Sequence, residues 1–422
     1  MRHILFVYGA LQMGGIETFL VRVSRRLSAA GVRVTVLLAS RKGAPELSEE
    51  LARWASIVYL EDLHVFKVKA LRRLTLYQFF APISRTRAEA LLEDVDHIHF
   101  LESFSMLTAC RLARLCGGRK VTGGVYYQYE FATWDMRSSY FVNAVAHTLR
   151  HVVPPRNMVF FNEACRSTYA RHLGQDYSES ALLPIGVDLS RLVRRDPARA
   201  RKGRVVSIGR INSFKTYNFQ FPRAVQALAA KGLQIEYHVY GDGDRRQALE
   251  AQIREMGCEQ QIHLHGPIEY ARLPEVLEDA WLFVGSGTAI IEAAGCGVPA
   301  LIGVESEPQP QTYGFLHSMP GIDYQEADIG YEKRSFAEFC EQLHALSDEE
   351  YAQVCERSAR KAEEFSIERL IEGFLELDKR AGVVNASAPS TRSLLLFASA
   401  LVDRLAPRAL GTGFWRRYEA RR

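Results

Sequence analysis

The chain lacks any Cys-x-x-Cys pair, and its seven cysteines (Cys110, Cys116, Cys165, Cys258, Cys296, Cys340 and Cys355) are scattered and odd in number. Structural zinc and disulfide frameworks need paired or clustered thiols, so the pattern argues against both and fits a reducing compartment. No apolar run reaches the roughly 20 residues that span a bilayer. Residues 4–8 form an apolar run too short for the core of a signal peptide, and a buried first strand is expected there, which implies a cytoplasmic protein. Net charge is only +4 over 422 residues, without a dense basic stripe, so nucleic acid is not an expected partner. There is no Gly-x-Gly-x-x-Gly fingerprint with an acidic residue about 20 positions on, which makes a dehydrogenase a poor fit.

Metal ligands are also scarce. Asp94 and Asp96 precede a strand, while Asp242 and Asp244 suit a turn, so no acidic pair is placed to hold a divalent cation on phosphates. His97 and His99, like His263 and His265, each share one strand face. Neither pair has an acidic or cysteine partner at supporting spacing, so they read as strand histidines and no metal is expected.

What is present is a globular composition, 47% hydrophobic and 24% charged. The length exceeds one ordinary core and predicts two α/β domains. Residues 4–8 read as a strand, followed by Gly9, Gly14 and Gly15, a helix over 16–30 and a second strand over 32–38. Strand, glycine loop, helix and strand make a βαβ unit of a parallel sheet. Further strands over 55–60, 97–100, 119–126 and 158–162 continue it. The pattern restarts with strands over 205–209, 234–240, 261–265, 281–284 and 299–302, alternating with helices over 219–231, 244–256, 270–278 and 288–295. That alternation predicts a second doubly wound domain. The expected division is 1–196, completed by 365–385, then 197–364, then a basic apolar tail over 386–422.

Two loops carry anion-binding chemistry. Gly209-Arg210-Ile211-Asn212-Ser213-Phe214-Lys215 follows a strand, where open α/β sheets bind ligands. Arg210 offers a planar fork for two phosphate oxygens and Lys215 a mobile point charge. The plainer reading is a solvated basic loop. Gly285-Ser286-Gly287-Thr288 opens a helix, whose exposed N–H groups attract anions, with Gly287 letting a ligand approach. Glu292 lies one turn further, among Ile290, Ile291, Ala293 and Ala294, placed to accept hydrogen bonds from a ribose diol; a surface glutamate is the alternative. The turn Gly14-Gly15-Ile16-Glu17 is the third such loop, or simply a tight turn.

These stretches resemble glycosyltransferase family 4, retaining enzymes of the GT-B fold. The resemblance rests on Gly14-Gly15-Ile16-Glu17, Leu183-Pro184-Ile185-Gly186-Val187-Asp188, Ser207-Ile208-Gly209-Arg210 with Lys215, Val239-Tyr240-Gly241-Asp242-Gly243-Asp244, His265-Gly266-Pro267 and Ile291-Glu292-Ala293-Ala294-Gly295-Cys296-Gly297-Val298-Pro299-Ala300. It implies two Rossmann-like doubly wound domains facing across a cleft. It also implies transfer of a sugar from a nucleotide-diphosphate donor to a glycan or lipid-linked acceptor, with retention, without a metal or other cofactor, in cell-envelope polysaccharide synthesis. By the same resemblance Arg210 and Lys215 hold the diphosphate, Thr288 and Gly287 add to that site, Glu292 holds the ribose, and Gly14 and Gly15 face the sugar. Two departures stand out. Val284 replaces a glutamate that many members place eight residues before the ribose ligand. Tyr127 replaces a histidine beside the reacting carbon, so Tyr127, Gln128 or Glu130 are the candidates for sugar contact there, against an aromatic strand end packed in the core. A catalytically silent scaffold and a nucleotide-sugar epimerase or hydrolase are the alternative functions.

Peripheral membrane contact is a further expectation. Residues 66–80 set Lys67, Lys69, Arg72 and Arg73 among Phe66, Leu71, Leu74 and Tyr77, as a bilayer-surface helix would. The tail adds an apolar helix over 394–405 and Trp415 among Arg416, Arg417, Arg421 and Arg422. A solvated N-domain helix and a docked tail are the alternatives.

Overall fold

The computed structural model describes residues 1–12, 15–68, 71, 74–127, 130–133, 139–384 and 393–405. They form two compact units, Met1–Gly186 joined by the residues from Ile367 onward, and Val187–Ser366.

Unit 1 is built on strands β1 (His3–Tyr8), β2 (Arg33–Leu38), β3 (Ser56–Tyr59), β4 (His97–Phe100), β5 (Arg119–Val125), β6 (Met158–Phe160) and β7 (Ala181–Leu182). They pair in parallel in the order β3-β2-β1-β4-β5-β6-β7. Every residue of β1 is buried, as a strand covered on both faces requires. The sheet grows in opposite directions from β1, so the strand order reverses between β1 and β4. The helix Gly15–Ala29 buries Phe19, Leu20, Val23 and Leu27, one stripe at helical spacing.

The C-terminal segment returns to unit 1. The helix Ile367–Arg380 buries Ile367, Leu370, Ile371, Phe374 and Leu377 in the same core as Ile4 and Phe6. Its Asp378 carboxylate lies 3.0 Å from the N-terminal ammonium, 3.2 Å from His97 Nδ1 and 3.5 Å from Lys120 Nζ. Val383–Val384 then pairs antiparallel with the start of β5.

Over 66–80 the described helix is Thr75–Phe80, with Leu76, Phe79 and Phe80 buried, while Phe66 and Leu74 are exposed. Phe79 stacks on Phe104 at 5.5 Å, so this part of the segment belongs to the core. Lys67 reaches Asp62 at 3.5 Å, while Lys69, Arg72 and Arg73 lie outside the described residues. The apolar helix Ser393–Leu405 also docks on unit 1. Leu396 and Ala400 join the core that holds Phe79 and Phe141, and the Phe141 N–H donates to Ser399 Oγ at 3.1 Å. Leu395 and Val402 remain exposed on its outer side. Trp415 and the terminal arginines lie outside the described residues. No helix among the described residues is long and apolar enough to cross a membrane.

Unit 2 contains β8 (Arg201–Ile208), β9 (Glu236–Tyr240), β10 (Ile262–Gly266), β11 (Ala280–Gly285) and β12 (Ala300–Ile302), parallel in the order β10-β9-β8-β11-β12. Alternation sends successive residues to opposite faces: Val205, Leu282 and Val284 enter one core, Val206 and Phe283 the other. The order reverses between β8 and β11. The unit begins at Val187, ahead of the start expected at 197. Leu189 and Leu192 pack on the helix Thr288–Gly295, where a Cβ at Gly295 would meet them at 3.0 and 2.8 Å, and Arg195 N–H donates to Cys296 O at 3.0 Å.

Candidate active site

Open parallel sheets bind ligands beyond the carboxyl ends of strands where the order reverses. In unit 2 that place is bounded by the loops after β8 and β11, the two loops singled out in the sequence.

The first loop takes its shape from glycines on its neighbour. Gly209 N–H donates to Tyr240 O and Ile211 N–H to Asp242 O, both at 2.9 Å, so the loop continues the β8–β9 pairing past the strands. A Cβ at Gly241 would lie 1.9 Å from Gly209 O, and one at Gly243 2.2 Å from Ile211 O. Gly241-Asp242-Gly243 is thus required by close backbone approach. Asn212 Oδ1 accepts from the Lys215 N–H at 3.1 Å and turns the chain so that Lys215 Nζ comes back beside Gly209. Arg210 is exposed and Lys215 half-buried. Among the described residues no carboxylate forms an ion pair with either, and two cations stand at one strand end.

The second loop leads from Gly285 through Ser286 and Gly287, at φ +67°, into the helix Thr288–Gly295. No side chain caps this helix, which leaves its first N–H groups and the positive end of its dipole open beside half-buried Thr288. Glu292 is buried one turn in, 5% exposed, which excludes the solvated surface role.

A third segment, which sequence reasoning missed, ties the two loops together. Gly303 N–H donates to Gly285 O and Ser306 N–H to Phe214 O, both at 2.7 Å. Between them Glu305 accepts from Ser286 Oγ at 2.7 Å. Burial raises the Glu305 carboxyl above its usual range, with the Lys215 charge and the Ser286 hydroxyl pulling the other way. Gln325 Oε1 accepts from Gly287 N–H at 2.9 Å, and Tyr324 Oη donates to Gly287 O at 3.0 Å. No local motif marks these residues; only their convergence on the loop identifies them. Val284, in place of the familiar glutamate, is fully buried in the core.

The unit 1 candidates are placed as follows. Gly14 lies outside the described residues. Gly15 is exposed at the first turn of its helix, and a Cβ there would meet nothing within 4 Å, so packing does not demand a glycine. Glu17 accepts from Tyr8 Oη at 3.0 Å. Tyr127 is half-buried just after β5. Glu130 is 3% exposed, and its N–H donates to Tyr127 O at 3.0 Å.

The histidine pairs differ from each other. His99 is buried, with Nδ1 2.8 Å from Thr122 Oγ1 and Nε2 3.0 Å from Tyr126 Oη, and His97 is buried against Thr122 and Asp378. For the other pair, the sheet supplies an acidic neighbour that spacing along the chain does not: Glu236 stands beside His263. The β9–β10 register sets His238 beside His263, with Glu236 two residues earlier on the same face. Ligand atoms of Glu236, His238 and His263 all lie within 4.8 Å of one another. Spacing along the chain conceals this cluster because its members sit on different strands.

Two Rossmann-like sheet units, one with a cationic loop and an open helix start where its strand order reverses, define the GT-B class of glycosyltransferases. Solved structures agree on the fold. A glycosyltransferase from Rickettsia africae is similar at TM-score 0.63 and 12% identity, over 90% of this chain and 98% of the other. Anabaena HepE, solved in complex with UDP and glucose, is similar at 0.62 and 15%, over 89% and 99%. The lipopolysaccharide outer core galactosyltransferase WaaB is similar at 0.59 and 14%, over 89% and 99%. No curated protein matches the sequence. The profile described as Glycosyltransferase Family 4 matches residues 13–191, and the one described as Glycosyl transferases group 1 matches residues 192–312. The chain belongs to glycosyltransferase family 4, and it is a glycosyltransferase.

Proposed function

We propose that the enzyme moves a sugar from a nucleoside-diphosphate donor to a glycan or lipid-linked acceptor, with retention at the anomeric carbon and without a bound metal. The observation that carries this reading is the pair of cations, Arg210 and Lys215, at the end of the strand beside the one that feeds the uncapped helix at Thr288. As the bond from the anomeric carbon to the diphosphate oxygen breaks, negative charge grows on the leaving phosphate. Arg210 meets it with a planar fork, Lys215 with a point charge, and the helix start with N–H groups and dipole. These donors are held by backbone hydrogen bonds before substrate arrives, so little reorganisation opposes the reaction. Buried Glu292 accepts the ribose hydroxyls. Glu305, Gln325 and Tyr324 hold the Gly285–Thr288 turn in place.

In this reading unit 1 carries the acceptor side, while its Gly14 and Gly15 face the donor sugar and diphosphate and Tyr127 and Glu130 are its candidate sugar contacts. A role in cell-envelope polysaccharide synthesis is supported by the likeness to the lipopolysaccharide transferase, and the donor class by the UDP and glucose of the Anabaena structure. A lipid-linked acceptor would bring the enzyme to the inner face of a membrane, where exposed Leu395 and Val402 offer a peripheral contact.

The test is calorimetric titration of UDP, GDP and ADP into wild type and Arg210→Ala, with and without EDTA. One base should bind selectively, EDTA should not matter, and Arg210→Ala should weaken binding by about 10- to 100-fold, the worth of a charge-assisted hydrogen bond. Equal affinity in the variant, or no binding of any nucleotide, would refute the assignment.

A further inference from the structure

The geometry points to a divalent transition-metal site on the edge of unit 2, formed by Glu236 and His238 of β9 and His263 of β10. The site lies outside the phosphate loops and plays no part in the proposed transfer.

Three observations support it. First, β10 is the edge strand of its sheet, and the register brings three ligand-bearing side chains to one face with their ligand atoms within 4.8 Å of one another. Zinc bonds of about 2.0–2.2 Å give ligand-to-ligand edges of about 3.3 Å in a tetrahedron, so small rotamer adjustments close the set around one ion. Glu236 Oε2 and His238 Nε2, 3.5 Å apart, already stand near that edge length.

Second, His238 has the surroundings of a metal ligand. Its Nδ1 lies 2.9 Å from His265 Nε2. A proton on Nδ1 donates to that nitrogen, which directs the Nε2 lone pair towards Glu236 and His263. Ligating histidines characteristically donate their other ring N–H in this way. His238 Nε2 is out of contact with solvent and makes no hydrogen bond of good geometry, so a cation between it and the carboxylate supplies the missing partner. His265 is held for its part by parallel stacking on Tyr240, with ring centroids 4.4 Å apart at 12°.

Third, the donor set suits a cation. Arg204 pairs with Asp279 at 3.2 Å, and the ion would share the Glu236 carboxylate with Arg201, 2.7 Å from it. Two imidazoles and one carboxylate favour zinc, nickel or copper over magnesium or calcium, and a tetrahedral ion would keep a fourth position for water. The ion would clamp β10 to β9. That matters to its surroundings, because Gly266 O at the end of β10 accepts the Gly241 N–H at 2.7 Å.

The experiment titrates zinc chloride into the full-length chain after chelator treatment, following heat and melting temperature for wild type, His263→Ala, Glu236→Gln and His147→Ala. His147 and His151, ring centroids 4.9 Å apart and exposed on another helix, provide the control for incidental histidine binding. His263 is half-buried, so its removal leaves the fold intact, which circular dichroism verifies. Wild type should take up one zinc and melt higher with it. His263→Ala and Glu236→Gln should each bind at least about tenfold more weakly, and His147→Ala as wild type does. A wild-type chain that takes up no zinc overturns the site, and so does uptake that is unchanged in His263→Ala or abolished in His147→Ala.

Discussion

Gly241→Ala should damage the loop that carries Arg210 and Lys215 without touching a charged residue. The added Cβ would sit 1.9 Å from Gly209 O, at a residue whose φ is +147°. A carbon–oxygen contact needs about 3.3 Å, so one backbone must retreat by about 1.4 Å. That retreat strains the hydrogen bonds from Gly209 N–H to Tyr240 O and from Ile211 N–H to Asp242 O, both now 2.9 Å. Losing one of them and leaving its groups unsatisfied costs about 1–3 kcal/mol, and the unfavourable backbone conformation adds about 1–3 kcal/mol. The expected loss of folding free energy is therefore about 2–6 kcal/mol. Arg210 lies next to the displaced residue, and a shift of about 1 Å is enough to lower turnover by about 100-fold. Urea unfolding measures the first effect and sugar-transfer kinetics the second. Gly232→Ala is the control, with φ +80° but nothing within 4 Å of the added carbon, and should cost only about 1 kcal/mol. If the two variants lose equal stability, the close approach of Gly241 to Gly209 does not shape the loop.

Asp378→Asn should lower stability at neutral pH by about 3 kcal/mol, because it breaks a buried pair. The His97 hydrogen bond, the N-terminal ammonium and Lys120 hold the Asp378 carboxyl far below its usual range. A depressed carboxylate contributes stability that is complete above the ordinary value of about 3.9 and is lost as pH falls through the folded value. The gap between wild type and variant should accordingly shrink below about pH 4 in melting curves, and a constant gap would contradict the pairing. Glu305→Gln keeps the acceptor for Ser286, whereas Glu305→Ala removes it and should cost about 1 kcal/mol. Because burial raises the Glu305 carboxyl, its ionisation destabilises the fold as pH rises above the ordinary glutamate range, so the Gln variant should gain on wild type towards pH 8 in the same measurement. Ala400→Glu would bury a charge at a fully covered position and should lower the melting temperature of unit 1 while exposing the last helix to protease. An unchanged digestion pattern would mean that this helix is not docked.

Much of the architecture was legible because its signals are local. The apolar run at residues 4–8, the glycine loops and the 3.6-residue periodicities are written within a few positions of the elements they produce. The strand at His97–Phe100 and the helix at Thr288–Gly295 are found with the bounds expected of them. The fold class followed from strict alternation of strand and helix, and the cationic loop from its position after a strand. Within the helix expected over 66–80, amphipathicity alone cannot tell the core-facing Phe79 and Phe80 from a membrane-facing stripe. The sequence by itself therefore determined the parallel α/β character of this protein and the position of its two glycine-bearing loops after β8 and β11. Only the tertiary structure decided that Glu305, Gln325 and Tyr324 brace the second loop, that Asp378 meets His97, and that Glu236 and His238 stand beside His263. Each of these contacts joins residues far apart in the chain, and it is strand order and register, set by packing of the whole sheet, that bring them together.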